Sequence, residues 1–250
     1  MALAAGLLSS NAQVYSANVV GYYNIVTPLG TPGHSKRHLL GNQLLGPGNT
    51  NDIDVVLVAG LDDSTDQGVN LLTWNYATKQ FVTSTYFGPS NAGNSTGVWA
   101  DSLGNPVVIS LNQLDGAFLE NFSGRAITNT VVGTVVQGPL SKTIGTGLNP
   151  YSLPVPVSTN LLAGSLSLVT TDAYDQKVNY VHYNVAAQQF DGALTYFGPS
   201  NAGNATGAWA DSLGNDQTAN PAYFPTVGEG FFIDNYSGNT FPWTPSFTVQ

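Results

Sequence analysis

Residues 85–105 and 195–215 are one stretch written twice: Thr-Tyr-Phe-Gly-Pro-Ser-Asn-Ala-Gly-Asn-Ser-Thr-Gly-Val-Trp-Ala-Asp-Ser-Leu-Gly-Asn. Only two positions differ, Ser95 against Ala205 and Val98 against Ala208. Self-similarity at such a distance constrains the fold before any local propensity does. The echo extends outward. Asp63-Ser64-Thr65-Asp66-Gln67 is matched by Asp172-Ala173-Tyr174-Asp175-Gln176, and Trp74-Asn75 by Tyr183-Asn184. Gly116-Ala117-Phe118-Leu119-Glu120-Asn121 returns as Gly230-Phe231-Phe232-Ile233-Asp234-Asn235. At the entrances, Asn18-Val19-Val20-Gly21 resembles Thr130-Val131-Val132-Gly133. The period is far longer than a solenoid repeat, so each copy is expected to be a domain.

The local pattern is that of β-structure. Leu72, Trp74 and Tyr76 alternate with polar residues, and residues 69–76 and 80–87 read as a hairpin around Ala77-Thr78-Lys79. Asn51 or Asp52 is placed to cap one short helix from Ile53, although the β-branched residues there suit a strand equally. No long segment has helical periodicity. The expected fold is all-β: two tandem duplicated antiparallel β-domains, sandwich- or barrel-like, at residues 13–130 and 131–250. Residues 1–12 read as a signal-peptide remnant, a short apolar run ending in a small-x-small pattern.

Composition narrows the partners. Only 8% of the residues are charged and the net charge is -9, which disfavours nucleic acid and anionic lipid. No run is long enough to span a membrane as a helix. Cysteine is absent, which removes disulfides and thiolate metal sites.

Motifs for catalysis are weak. Gly93-Asn94-Ser95-Thr96-Gly97 satisfies G-x-S-x-G, but that motif needs a strand-to-helix turn, and the second copy has Ala205 at the nucleophile's place. Of the three histidines, His34 and His38 are four apart but lie in a Pro/Gly-bounded segment and not on a helix that would align them, and His182 reads as an ordinary strand residue. Asp62, Asp63 and Asp66 are candidate ligands for a loose calcium site, yet Gln67 and Thr73 replace the glycine and glutamate of an EF-hand. Aspartates that start turns are the simpler account. No catalytic residue is assigned and no enzyme is expected.

The repeated stretch admits two readings. Tyr86, Trp99, Tyr196 and Trp209 suit stacking on sugar rings, with Asp101, Asn105, Asp211 and Asn215 bonding hydroxyls. Alternatively each Trp anchors its own core while Asn and Gly shape turns, which is the preferred expectation.

Val19-Val20-Gly21-Tyr22, Val131-Val132-Gly133-Thr134 and Gly228-Glu229-Gly230-Phe231-Phe232-Ile233 give the chain a resemblance to a group of bacterial secreted β-repeat surface proteins, common in verrucomicrobial genomes. The first copy departs from the second motif with Leu114-Asp115-Gly116-Ala117-Phe118. The resemblance implies an exported β-protein and carries over no catalytic residue. The expected function is an extracellular structural subunit that self-assembles as a homo-oligomer or filament. A glycan-binding or adhesion module is the alternative.

Overall fold

A computed structural model describes residues 20–57, 60–156 and 171–247. The signal-peptide reading of residues 1–12, the start of the entry strand at 14–19 and the last residues of the terminal strand, 248–250, lie outside the described residues. The fold is all-β, and among the described residues none of the antiparallel sheets closes into a barrel.

The first repeat opens with β1 (Val20–Thr27) and β2 (Lys36–Gly41). A single helical turn follows, α1 (Ile53–Val56), capped by the Asp52 side chain accepting from Asp54 N. Then come β3 (Val69–Asn75), β4 (Gln80–Phe87), the one-turn α2 (Pro89–Ala92) and β5 (Val98–Ala100). The repeat closes with β6 (Gly116–Asn121) and β7 (Ile127–Thr134). In space the order is β2-β6-β3-β4-β5, with β1 and β7 forming a separate ribbon.

The second repeat has the same plan. It runs through β8 (Gly138–Pro139), β9 (Lys142–Ile144), β10 (Gly147–Ser152), β11 (Val178–Asn184), β12 (Gln189–Phe190), β13 (Leu194–Phe197), the turn α3 (Pro199–Ala202) and β14 (Ala208–Ala210). It ends with β15 (Gly230–Asn235), β16 (Phe241–Trp243) and β17 (Ser246–Phe247). Its sheet order, β10-β15-β11-β13-β14, repeats that of the first, and β9–β16 with β8–β17 take the place of the ribbon.

These pairings correct the expected boundary and the entry alignment. β7 pairs along its length with β1, so a division at 130/131 cuts the strand that closes the first repeat. Gly133 lies opposite Gly21 in that ribbon, not in an equivalent place. The buried Asn121 amide donates to the carbonyls of Pro28 and Arg125, and the buried Asn235 amide to those of Gly145 and Asn239. Pro28 therefore corresponds to Gly145, which makes β8 and β9 the counterpart of β1. The strand at 127–134 corresponds to β16 and β17.

Strand alternation divides the core into three. Val69, Leu71, Ala117 and Leu119 face the first ribbon with Trp99 and Ile25. Val178, Tyr180, Phe231 and Ile233 face the second with Trp209 and Trp243. The intervening residues, Phe118, Phe232, Leu39 and Tyr183, form a third cluster where the two large sheets meet.

That junction is reciprocal. Leu40 bridges Glu229 just as Tyr151 bridges Asp115. Gly41 N donates to Gly228 O, and its counterpart Ser152 N to Leu114 O. Phe118 and Phe232, equivalent residues, approach to 5.9 Å. Near this local twofold, a Cβ on Gly41 would stand 2.0 Å from Ser152 Cβ, so only one of the two positions accepts a side chain. The repeats thus pack as a dimer of like units within one chain.

Candidate functional site

The residues nominated from the repeated stretch do not form a stacking platform. Trp99 and Trp209 are 1% and 0% exposed, and Tyr86 and Tyr196 are equally buried. Each Tyr packs on its Trp, at 5.5 and 5.4 Å between ring centroids. Both tyrosine hydroxyls are spent on loop carbonyls, Thr96 O and Thr206 O. Asp101 accepts from Leu103 N and Asn105 N, and Asp211 from Leu213 N and Asn215 N, so these residues build turns. The sugar-stacking reading is corrected on this ground, because no ring face is open. A pocket of about 250 Å³ does adjoin Tyr86, Trp99, Asp54 and Ser95. It falls below the roughly 300–1,000 Å³ typical of ligand sites.

The acidic cluster is likewise structural. Asp63 accepts from Ser90 N and Oγ, and Asp66 from Gly88 N and Asn91, fastening the repeated loop to the turn that precedes β3. Asp172 and Asp175 hold Ser200, Gly198 and Asn201 in the same way. Asp62 caps its turn through Ser64 and pairs with Arg125 at 3.0 Å. The second copy has Thr171 and Asn239 at those two places, so both partners are missing together. The candidate calcium ligands Asp62, Asp63 and Asp66 thus have oxygens turned onto protein donors, in agreement with the simpler account of turn-forming aspartates. Ser95 lies in a loop after α2, not at a strand-to-helix turn.

The chemistry gathers instead where the repeats meet, in two clefts related by the local twofold. One, of about 460 Å³, is lined by Tyr76, Lys79, Lys142, Thr146 and Asn149. Asp115 there accepts from Tyr76 Oη at 2.8 Å and is paired with Lys142. The Lys142 ammonium also lies 4.1 Å from the Tyr76 ring centre, a cation–π contact. Trp74 Nε1 reaches Asn149 across the junction at 3.0 Å.

The other cleft, about 530 Å³, is lined by Asn24, Val26, His38, His182, Phe224 and Glu229, among others. His182 Nδ1 is 2.7 Å from Asp191 Oδ2, while Nε2 is 3.6 Å from Glu229 Oε2. Burial acts to lower the His182 pKa, but Glu229 and Asp191 outweigh it, and the net shift is upward. For His38 burial wins over Glu229 and the Val26 carbonyl, and the pKa falls. Burial pushes Glu229 up, yet its bonds to His182 and Thr226 hold it below the usual carboxylate value. One imidazole biased to carry charge thus neighbours one biased to stay neutral, with a carboxylate beside them.

Sequence reasoning passed over this group because its members are remote along the chain. One signal was available. The second copy has one residue more than the first between its turn at Gln188 and the repeated stretch. That residue interrupts the strand, separating β12 from β13, and Asp191 in the break reaches His182. Comparison with protein-family models, curated proteins and solved structures returned no match.

Proposed function

We propose that the chain is an exported, non-catalytic structural subunit that associates with further copies of itself through the outer face of the β1–β7 ribbon. The observation that carries this reading is the set of side chains turned outward there. Val20, Tyr22 and Val26 project from one face of β1 at 69%, 77% and 51% exposure. Val132 stands directly across from Tyr22. Contiguous exposed apolar side chains on a soluble fold mark interaction surfaces. The register places Pro139 and Ser246 at the equivalent pair in the second repeat, so the strip belongs to the first repeat alone.

The free edges of the large sheets are a less suitable surface. Val107 N bonds Trp99 O beside β5, and Gln217 N bonds Trp209 O beside β14, so each of these edges is covered by its own chain. The glycan-binding alternative loses its stacking residues to the core.

Sedimentation velocity over a broad concentration range tests the proposal. The unaltered chain is expected to associate as concentration rises, and Tyr22→Glu to shift that association to at least tenfold higher concentration with an unchanged far-UV spectrum. A chain that stays monomeric throughout, or a Tyr22→Glu variant that associates equally well, would overturn it.

A further inference from the structure

The cleft that holds Lys142 brings an amine, a carboxyl group and two hydrogen-bond donors into contact. The Lys142 ammonium touches Asp115 Oδ1, and the two side chains are only 22% and 13% exposed. Charges so far out of water gain little from their attraction beyond the hydration they lose. Each carboxyl oxygen has a donor of its own. Asn112 Nδ2 lies 3.1 Å from Oδ2, and Tyr76 Oη 2.8 Å from Oδ1. Burial, and after it the charge on Asp115, pushes the Tyr76 pKa up, so the hydroxyl keeps the proton it can lend. The Tyr76 ring lies 4.1 Å from Nζ and fixes where the amine sits.

This is the equipment of acyl transfer. Donors aimed at an oxygen that gains charge stabilise a tetrahedral intermediate. A lysine amine is a competent nucleophile once it has lost its proton. Reactants held in contact by a rigid frame react as if at very high concentration. The frame here is β-pairing: Lys142 stands opposite Trp243 in the β9–β16 ladder, and Asp115 bridges Tyr151.

We propose that Lys142 and Asp115 condense to an intramolecular amide that fastens the first repeat to the second. One proton passes from Nζ to Oδ1 along their hydrogen bond, and the freed amine attacks Cγ to form the C–N bond. Asn112 donates to the oxyanion on Oδ2. A second proton leaves the nitrogen and reaches the hydroxyl at Oδ1 by way of Tyr76 Oη. The bond from Cγ to Oδ1 then breaks and water departs. One ammonium and one carboxylate become one amide and one water, with no oxidant or other reactant.

The twofold-related cleft lacks these parts. Ile25 stands at the place of Lys142, by the match of Pro28 to Gly145. Glu229 there faces the His182 imidazole, which supplies a charge but forms no lasting amide. The link is therefore single, in a chain without cysteine that can form no disulfide.

The test is peptide mapping of the full chain by mass spectrometry after unfolding and tryptic digestion. A branched peptide is expected that contains both Asp115 and Lys142, is lighter by one water, and is uncut after Lys142. Lys142→Arg keeps the positive charge but should give unlinked peptides of full mass. Tyr76→Phe should slow linkage in freshly made chain by more than about tenfold, the lower range for a lost proton-transfer group. Peptides of full mass from the unaltered chain would overturn the proposal. Asp115 precedes Gly116, so a succinimide would also remove one water. Cleavage after Lys142 in the dehydrated chain would reveal that, and would overturn the proposal equally. So would a water loss that persists in Lys142→Arg, or linkage that Tyr76→Phe leaves unchanged.

Discussion

Replacing Gly41 by Ala probes the junction of the repeats at its tightest point. Gly41 lies in β2 without a positive φ, so alanine is acceptable to its backbone and the effect is steric. The new Cβ would stand 2.0 Å from Ser152 Cβ and 2.7 Å from Ser152 Oγ, with Glu229 O at 3.3 Å. Overpacking of this kind costs about 1–3 kcal/mol. If the strands part to relieve it, the Gly41 N to Gly228 O bond of 2.9 Å is lost as well. That adds about 0.5–1.5 kcal/mol. Reduced freedom of the unfolded chain returns about 0.4–1 kcal/mol. The expected net loss is about 1–3 kcal/mol, read as a lower urea midpoint at constant slope. Ser152→Gly should rescue most of it, because the double variant only moves the small side chain across the local twofold. The two changes should therefore couple strongly in a double-mutant cycle. A neutral Gly41→Ala, or a Ser152→Gly that gives no rescue, would refute the packing argument.

Trp99→Ala and Trp209→Ala should each destabilise the fold by about 3–5 kcal/mol in the same assay; surface tryptophans would cost far less. Asp63→Asn and Asp172→Asn should each raise hydrogen exchange in the repeated loop of their own copy while the distant sheet stays protected. Glu120 supplies a pH signature. Burial acts to raise its pKa, but hydrogen bonds from Arg37, Asn70 and Ser35 hold it below the ordinary glutamate value. A depressed folded pKa contributes stability above the unfolded value that is lost as pH falls through the folded one. Glu120→Gln should therefore flatten the acid limb of a stability–pH curve, and an unchanged limb would count against this.

The duplication, the all-β class and the hairpin were legible because each rests on pattern. The boundary was not. Val19-Val20-Gly21 and Val131-Val132-Gly133 look alike because they are facing strands of one ribbon, with Gly21 opposite Gly133. A Cβ on Gly133 would come within 2.1 Å of Leu45 O, so close approach is what demands that glycine. Residue type supported the preferred reading of Trp99 as a core anchor, and its 1% exposure agrees, but it did not give the hydrogen-bond partners of Asp101, which tertiary packing decides. His38 and His182 carried no spacing signal, because the twofold packing of the repeats is what brings them to one cleft.

Hydrogen–deuterium exchange measured across a concentration series tests most directly whether the chain associates through the ribbon. Protection is expected to grow with concentration in β1 and β7, where Tyr22 and Val132 lie, and to stay constant in the Asp101 and Asp211 turns. Exchange independent of concentration, or protection that grows at those turns and not in the ribbon, would contradict the account.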